Sequence, residues 1–185
     1  MERLGFSNIV SAILLLGAFL TPQNATADIK SCDDLAALEA DPLAQSASVD
    51  FNDIQANTVI SACSTALNDP LLKEQNKGTT NLKARLLLQL GRGYLANGEM
   101  KKALAHFNQS ADLGYPAGYF ALGVFYLVGE DGEQNLNIAH PALMKAFNGG
   151  VIWAARGLSI LHRQQNTEFY DLQKATYYQS LWEAR

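Results

Sequence analysis

Histidine and cysteine are scarce in this chain, with three and two in 185 residues, and the scarcity removes whole classes of function. A closed zinc site takes four N or S ligands at close spacing. Neither Cys32 nor Cys63 has a Cys or His at such spacing, and His106, His140 and His162 fall far apart along the chain. No metal site is therefore expected. Basic charge is also short, 14 Lys and Arg against 18 Asp and Glu for a net charge of -4. A nucleic acid or an anionic membrane is bound through a surplus of Lys and Arg, so neither is an expected partner.

Catalytic signatures are missing too. Gly157-Leu158-Ser159-Ile160-Leu161 opens like a nucleophile elbow but lacks the second glycine and lies in a helical pattern rather than between strand and helix. There is no Ser-x-x-Lys, no HExxH, no P-loop and no dinucleotide fingerprint. The acidic stretch Glu130-Asp131-Gly132-Glu133 lacks the alternating ligand spacing of a calcium loop and reads as a solvated turn. No catalytic residue and no cofactor is assigned. Period-two alternation, the mark of a half-buried strand, is absent as well, which leaves an all-α chain.

What is present begins with a leader. Arg3 precedes the apolar run Ile9 to Leu20, and Ala25-Thr26-Ala27 supplies the small-x-small pattern of a signal-peptidase site. The run is shorter than the roughly 20 apolar residues that span a bilayer comfortably. Residues 1–27 are read as a signal peptide, with an uncleaved anchor as the alternative, and the chain from Asp28 as exported to a periplasm or beyond, with no integral membrane segment after cleavage. In that setting an even pair of cysteines reads first as a disulfide, Cys32 to Cys63, with two buried free thiols as the alternative. Each cysteine lies on an apolar helical stripe, Cys63 with Val59, Ile60, Ala66 and Leu67, and Cys32 with Leu35 and Ala36.

The rest divides into an N-terminal helical cap, 28–78, and a region of helix pairs, 79–185. In the cap, Ser31 is the expected N-cap of a helix to about residue 40, and Asp53 that of a second helix to about residue 68, where Asp69-Pro70 stops it. Gly78 marks a turn, and Thr79 or Thr80 caps the next helix. Helices then follow at about 82–96, 100–113, 116–128, 136–147, 152–163 and 169–183. Gly114 and Gly149 stand where a C-cap wants glycine.

These helices repeat. Leu90-Gly91-x-x-Tyr94 returns as Leu122-Gly123-x-x-Tyr126 and, more weakly, as Leu158-Ser159-x-x-His162. Glycine inside a helix costs about 1 kcal/mol against alanine. Its return at one position points to a neighbouring helix too close for a side chain. In the second helices Ala103, Phe107, Ala111 and Gly114 are echoed by Ile138, Ala142, Ala146 and Gly149. A period of about 32 to 36 residues, over copies at about 82–115, 116–151 and 152–185, is that of an α-solenoid of antiparallel helix pairs.

Those residues resemble the Sel1-like repeat, a relative of the tetratricopeptide repeat, and the front segment resembles the Cys-containing cap of exported members in Gram-negative bacteria. The resemblance implies a right-handed superhelix and a non-enzymatic adaptor, scaffold or regulator that holds a peptide or protein segment in its concave groove. A cell-wall hydrolase of the Cys-rich Sel1-like type is the alternative it carries. Leu90, Gly91, Tyr94, Leu122, Gly123 and Tyr126 should then be repeat core, with Phe120 beside them. Arg85, Gln89, Arg92, Tyr119, Val124 and Arg156, with Arg163 further out, fall on the positions expected to face the groove, where Arg and Tyr are favoured binding residues.

Overall fold

The computed structural model of the protein describes residues 23–74 and 76–185. Most of the expected leader lies outside them, and Ala25, Thr26 and Ala27 fall within the first described helix. Among the described residues the chain is all helical, with no strand: α1 (Gln23–Ala36), α2 (Ala56–Ala66), α3 (Lys77–Ala96), α4 (Met100–Asp112), α5 (Pro116–Val128), α6 (Leu136–Asn148), α7 (Trp153–His162) and α8 (Leu172–Glu183). Single 3-10 turns at Phe51–Asp53 and Pro70–Lys73 punctuate the cap.

The boundaries of α4 to α7 fall within a residue of the sequence reading, whereas those of the cap and the starts of α3 and α8 move. Ser31 is interior to α1 rather than its cap. The helix stops at Ala36 instead of residue 40 because the freed carbonyls of Ala36 and Ala37 find a donor in the Arg92 guanidinium. Asp53 caps nothing; Asp50 accepts from the Asn52 amide in the 3-10 turn, and α2 starts at Ala56 without a side-chain cap. Asn76, not a threonine, caps α3. Its side chain accepts from the Thr79 amide while the Thr79 hydroxyl accepts from the Asn76 amide, so Gly78 lies inside the first helical turn. At α8 the start moves to Leu172 because Asp171 accepts from the Gln173 and Lys174 amides.

Each helix packs on the next, and α1, α3, α5 and α7 also touch one another in series. The buried side chains fall into successive clusters along this series. Val59, Cys63, Ala66, Leu86 and Leu90 join α2 and α3 to Cys32 and Ala36 of α1. Ala84, Leu88, Ala103, Phe107, Ala117 and Phe125 join α3, α4 and α5. Leu127, Leu143, Ala146, Leu158, Leu161 and Tyr178 carry the core on to α8. A disulfide between Cys32 and Cys63, with Cα atoms 4.8 Å apart, ties α1 to α2.

The recurring glycines sit at helix crossings. A Cβ on Gly91 would lie 2.5 Å from the Phe107 ring, and one on Gly123 would lie 2.7 Å from Leu143 Cγ. In the third copy Ser159 holds the same position and uses it differently, its hydroxyl donating to the Ala175 carbonyl at 2.8 Å. Gly149 serves by space rather than by conformation, since its φ is -84° and Pro116 leaves no room for a Cβ. Its neighbour Gly150, at φ +91°, makes the left-handed turn. Gly123→Ala is expected to lower stability by about 1–3 kcal/mol through overpacking, read as a lower urea midpoint with unchanged slope. An unchanged midpoint would mean that Leu143 moves aside freely and that the crossing is not tight.

Candidate functional site

Polar residues recur on α3 at Arg85, Gln89 and Arg92, a spacing that puts all three on one helical face. That face is not open. The three are 8, 1 and 6% exposed, and the expectation that they line a groove is corrected by what covers them. Asp33 of α1 accepts from Arg85 Nε at 2.8 Å, Arg85 Nη2 at 3.0 Å and Gln89 Nε2 at 2.9 Å. Burial disfavours the Arg85 cation, but the Asp33 carboxylate outweighs it and raises the guanidinium pKa above its ordinary value. The physical reason for the correction is complementarity: the polar stripe on α3 meets a carboxylate and main-chain carbonyls of the cap, so water is not needed to satisfy it.

Arg92 closes a loop. The segment 37–50 folds back so that the Val49 amide donates to the Ala37 carbonyl at 2.9 Å. Arg92 Nη1 donates to the Ala36 and Ala37 carbonyls at 2.6 and 2.7 Å, and Nη2 to the Val49 carbonyl at 2.9 Å. Burial pushes this guanidinium down to about 10, with the charge of Asp50 opposing, so it stays cationic at neutral pH. Further along the loop the Asp41 carboxylate accepts from the Tyr115 hydroxyl at 2.8 Å and from the Leu43 amide at 2.9 Å. Burial raises the pKa of both Asp41 and Tyr115.

The seated loop builds one wall of an apolar cleft. Leu38 and Phe51 face Leu95 of α3, Phe107 of α4 and Phe120, Ala121, Val124 and Phe125 of α5, with Arg92 and Glu130 as the polar members, around a volume of about 170 Å³. An apolar cavity of about 150 Å³ holds one benzene ring, so the cleft is sized for a single aromatic or branched side chain. Of the expected groove residues, only Arg92 and Val124 meet here. Tyr119 is half-buried with Lys145 Nζ 4.8 Å from its ring centroid, and Arg156 is exposed with its guanidinium 5.7 Å from the Trp182 ring. Arg163 is exposed beyond the end of α7.

The sequence reading missed Leu38 and Phe51, which come from the irregular part of the cap where no periodicity signals a face. It placed Phe120 in the core, whereas that ring is half-buried and lines the cleft. Among the other repeat positions, Leu90, Gly91, Leu122 and Gly123 are buried and Tyr94 and Tyr126 half-buried.

The histidines also need correction. His140 and His162, far apart in sequence, have ring centroids 5.4 Å apart. His106 is half-buried and stacks on Tyr94 at 5.3 Å, and its Nδ1 is buried without a partner. Burial lowers the His106 pKa, and the Gln109 side chain opposes the shift. Lys102 Nζ, 5.0 Å from the Tyr94 centroid, is the charged group on the same stack. The native state therefore takes up this proton less readily than the unfolded chain, whose histidines titrate near about 6.5. Stability should fall as pH drops below that value through the lowered native pKa. His106→Phe keeps the stack and cannot be protonated, so its urea midpoint should change less between pH 7 and pH 5 than that of the parent. Equal slopes would show that this imidazole is solvated in the native state.

Among the described residues no helix is long and apolar enough to cross a membrane, and no group of three His, Cys, Asp or Glu side chains is placed to share a metal ion. Comparison with family models, curated proteins and solved structures finds no match to this chain.

Proposed function

We propose that the chain is an exported interaction module, an α-solenoid of antiparallel helix pairs of the Sel1-like and tetratricopeptide-like kind, that holds a segment of a partner protein by an apolar side chain. The observation that carries this reading is the aromatic cleft between the cap loop and α5, open at its mouth and of side-chain size. The repeated Leu-Gly-x-x-Tyr positions at helix crossings and the series of contacts from α1 to α7 support the solenoid. The disulfide, the form a cysteine pair takes in an oxidising compartment, supports export. A hydrolase of the cell wall draws less support from this site. The cleft holds one carboxylate, Glu130, and glycosidic chemistry ordinarily uses two; Asp33 and Asp41 are committed to bonds inside the cap.

Selection of random peptides displayed on phage tests the proposal. Enriched sequences should share an apolar anchor residue, and their binding should be lost in Phe120→Glu while surviving Leu113→Glu, an exposed change just past the end of α4. Peptides that bind Phe120→Glu as well as the parent, or no enrichment at all, would overturn it.

A further inference from the structure

The His140 and His162 pair is used by nothing above, and its surroundings are specific. The His162 side chain, 3% exposed, has its Nδ1 2.7 Å from the Phe169 carbonyl oxygen. A carbonyl only accepts, so Nδ1 carries a proton, and in the neutral tautomer that this bond selects Nε2 holds the lone pair. That nitrogen is fully buried and has no partner. An unmatched buried acceptor costs about 1–3 kcal/mol, and a Nδ1–H held by a backbone carbonyl is the arrangement that presents Nε2 to a metal ion.

His140 supplies a second imidazole at the right separation. With metal–nitrogen bonds of about 2.0 Å, two imidazoles sharing one ion at a trigonal or tetrahedral angle have centroids about 5–5.5 Å apart, and this pair is at 5.4 Å with planes 76° from parallel. Met144 follows His140 by one turn of α6 and shares its face. The Tyr178 ring, stacked on His162 at 5.8 Å, brings its hydroxyl to Met144 Sδ at 3.2 Å, while Phe169 stacks on His140 at 5.1 Å.

We propose that His140, His162 and Met144 form a site for one cuprous ion. Thioether and imidazole are soft and intermediate donors, the set that favours Cu(I) over magnesium, calcium or manganese. Charge agrees with the choice. Imidazole and thioether ligate as uncharged donors and Lys174 stands nearby, so a monovalent ion is desolvated at far lower cost than a divalent one. Phe169 and Tyr178 wall the ion from water.

The test is anaerobic titration of the full chain with Cu(I) against a chromogenic cuprous chelator, without thiol reductant so that the disulfide survives. One equivalent should be retained, and X-ray absorption should show two nitrogen neighbours and one sulfur neighbour. His140→Gln and Met144→Leu, both at half-buried positions that spare the interior His162, should each weaken retention by at least about 10- to 100-fold, the range that even outer-shell changes produce, with unchanged far-ultraviolet circular dichroism. Failure to hold Cu(I) against the chelator, or retention that neither substitution alters, would overturn the site.

Discussion

Asp33→Ala is expected to lower stability by about 3–5 kcal/mol, because it leaves a buried guanidinium without its carboxylate. The Arg85 and Asp33 side chains are only 10 and 6% exposed, so little solvent screening softens the loss, and Gln89 loses an acceptor at the same time. Replacing both charges, Asp33→Leu with Arg85→Met, should cost much less than Asp33→Ala alone, since well-packed apolar groups often equal a buried pair. Urea denaturation of the two variants checks both statements. A loss of less than about 1 kcal/mol in Asp33→Ala is the behaviour of a surface pair and would mean that water reaches the seam between cap and repeats. The exposed pairs Lys30 with Asp34 and Lys102 with Glu99 serve as controls, and neutralising either should leave the midpoint unchanged.

Removal of the disulfide is expected to cost nearly as much by a different route. Cys32 and Cys63 are separated by 31 positions, and a loop of that length contributes about 3.5 kcal/mol by limiting the unfolded chain. Cys32→Ala with Cys63→Ala should therefore lower the melting temperature by roughly 10 °C in a domain of this size. The cap should fail first, which amide exchange can resolve: α1 and α2 would lose protection in the variant while α5 and α6 keep theirs. Uniform loss along the chain would show that cap and repeats unfold as one unit. Unchanged stability would show that helix packing alone holds α1 on α2.

How much of this was legible depends on the segment. In the repeats, apolar periodicity, capping residues and the recurring glycine all report local constraints. Pro116–Val128 and Leu136–Asn148 accordingly fall within a residue of expectation. In the cap the same signs misled, because Ser31 and Asp53 look like caps whenever their neighbours are ignored. Arg85, Gln89 and Arg92 show the limit most clearly. Their spacing says that they share a face, but a polar face meets water or a polar partner with equal local logic. The partner here is contributed by residues more than forty positions away.

The sequence by itself determined the helical class and the tight crossings at Gly91 and Gly123, since each follows from composition or from a period within a few turns, while it left the cysteine pair open between a disulfide and two buried thiols until the structure joined Cys32 to Cys63. The tertiary structure alone decided that the cap loop lies on Arg92, that Leu38 and Phe51 complete an apolar cleft, and that His140 and His162 stand side by side. The reason is one of range. Periodicity and capping are written in neighbouring residues, whereas a site is made by side chains whose meeting depends on how whole helices stack, and no local pattern in the chain encodes that distance.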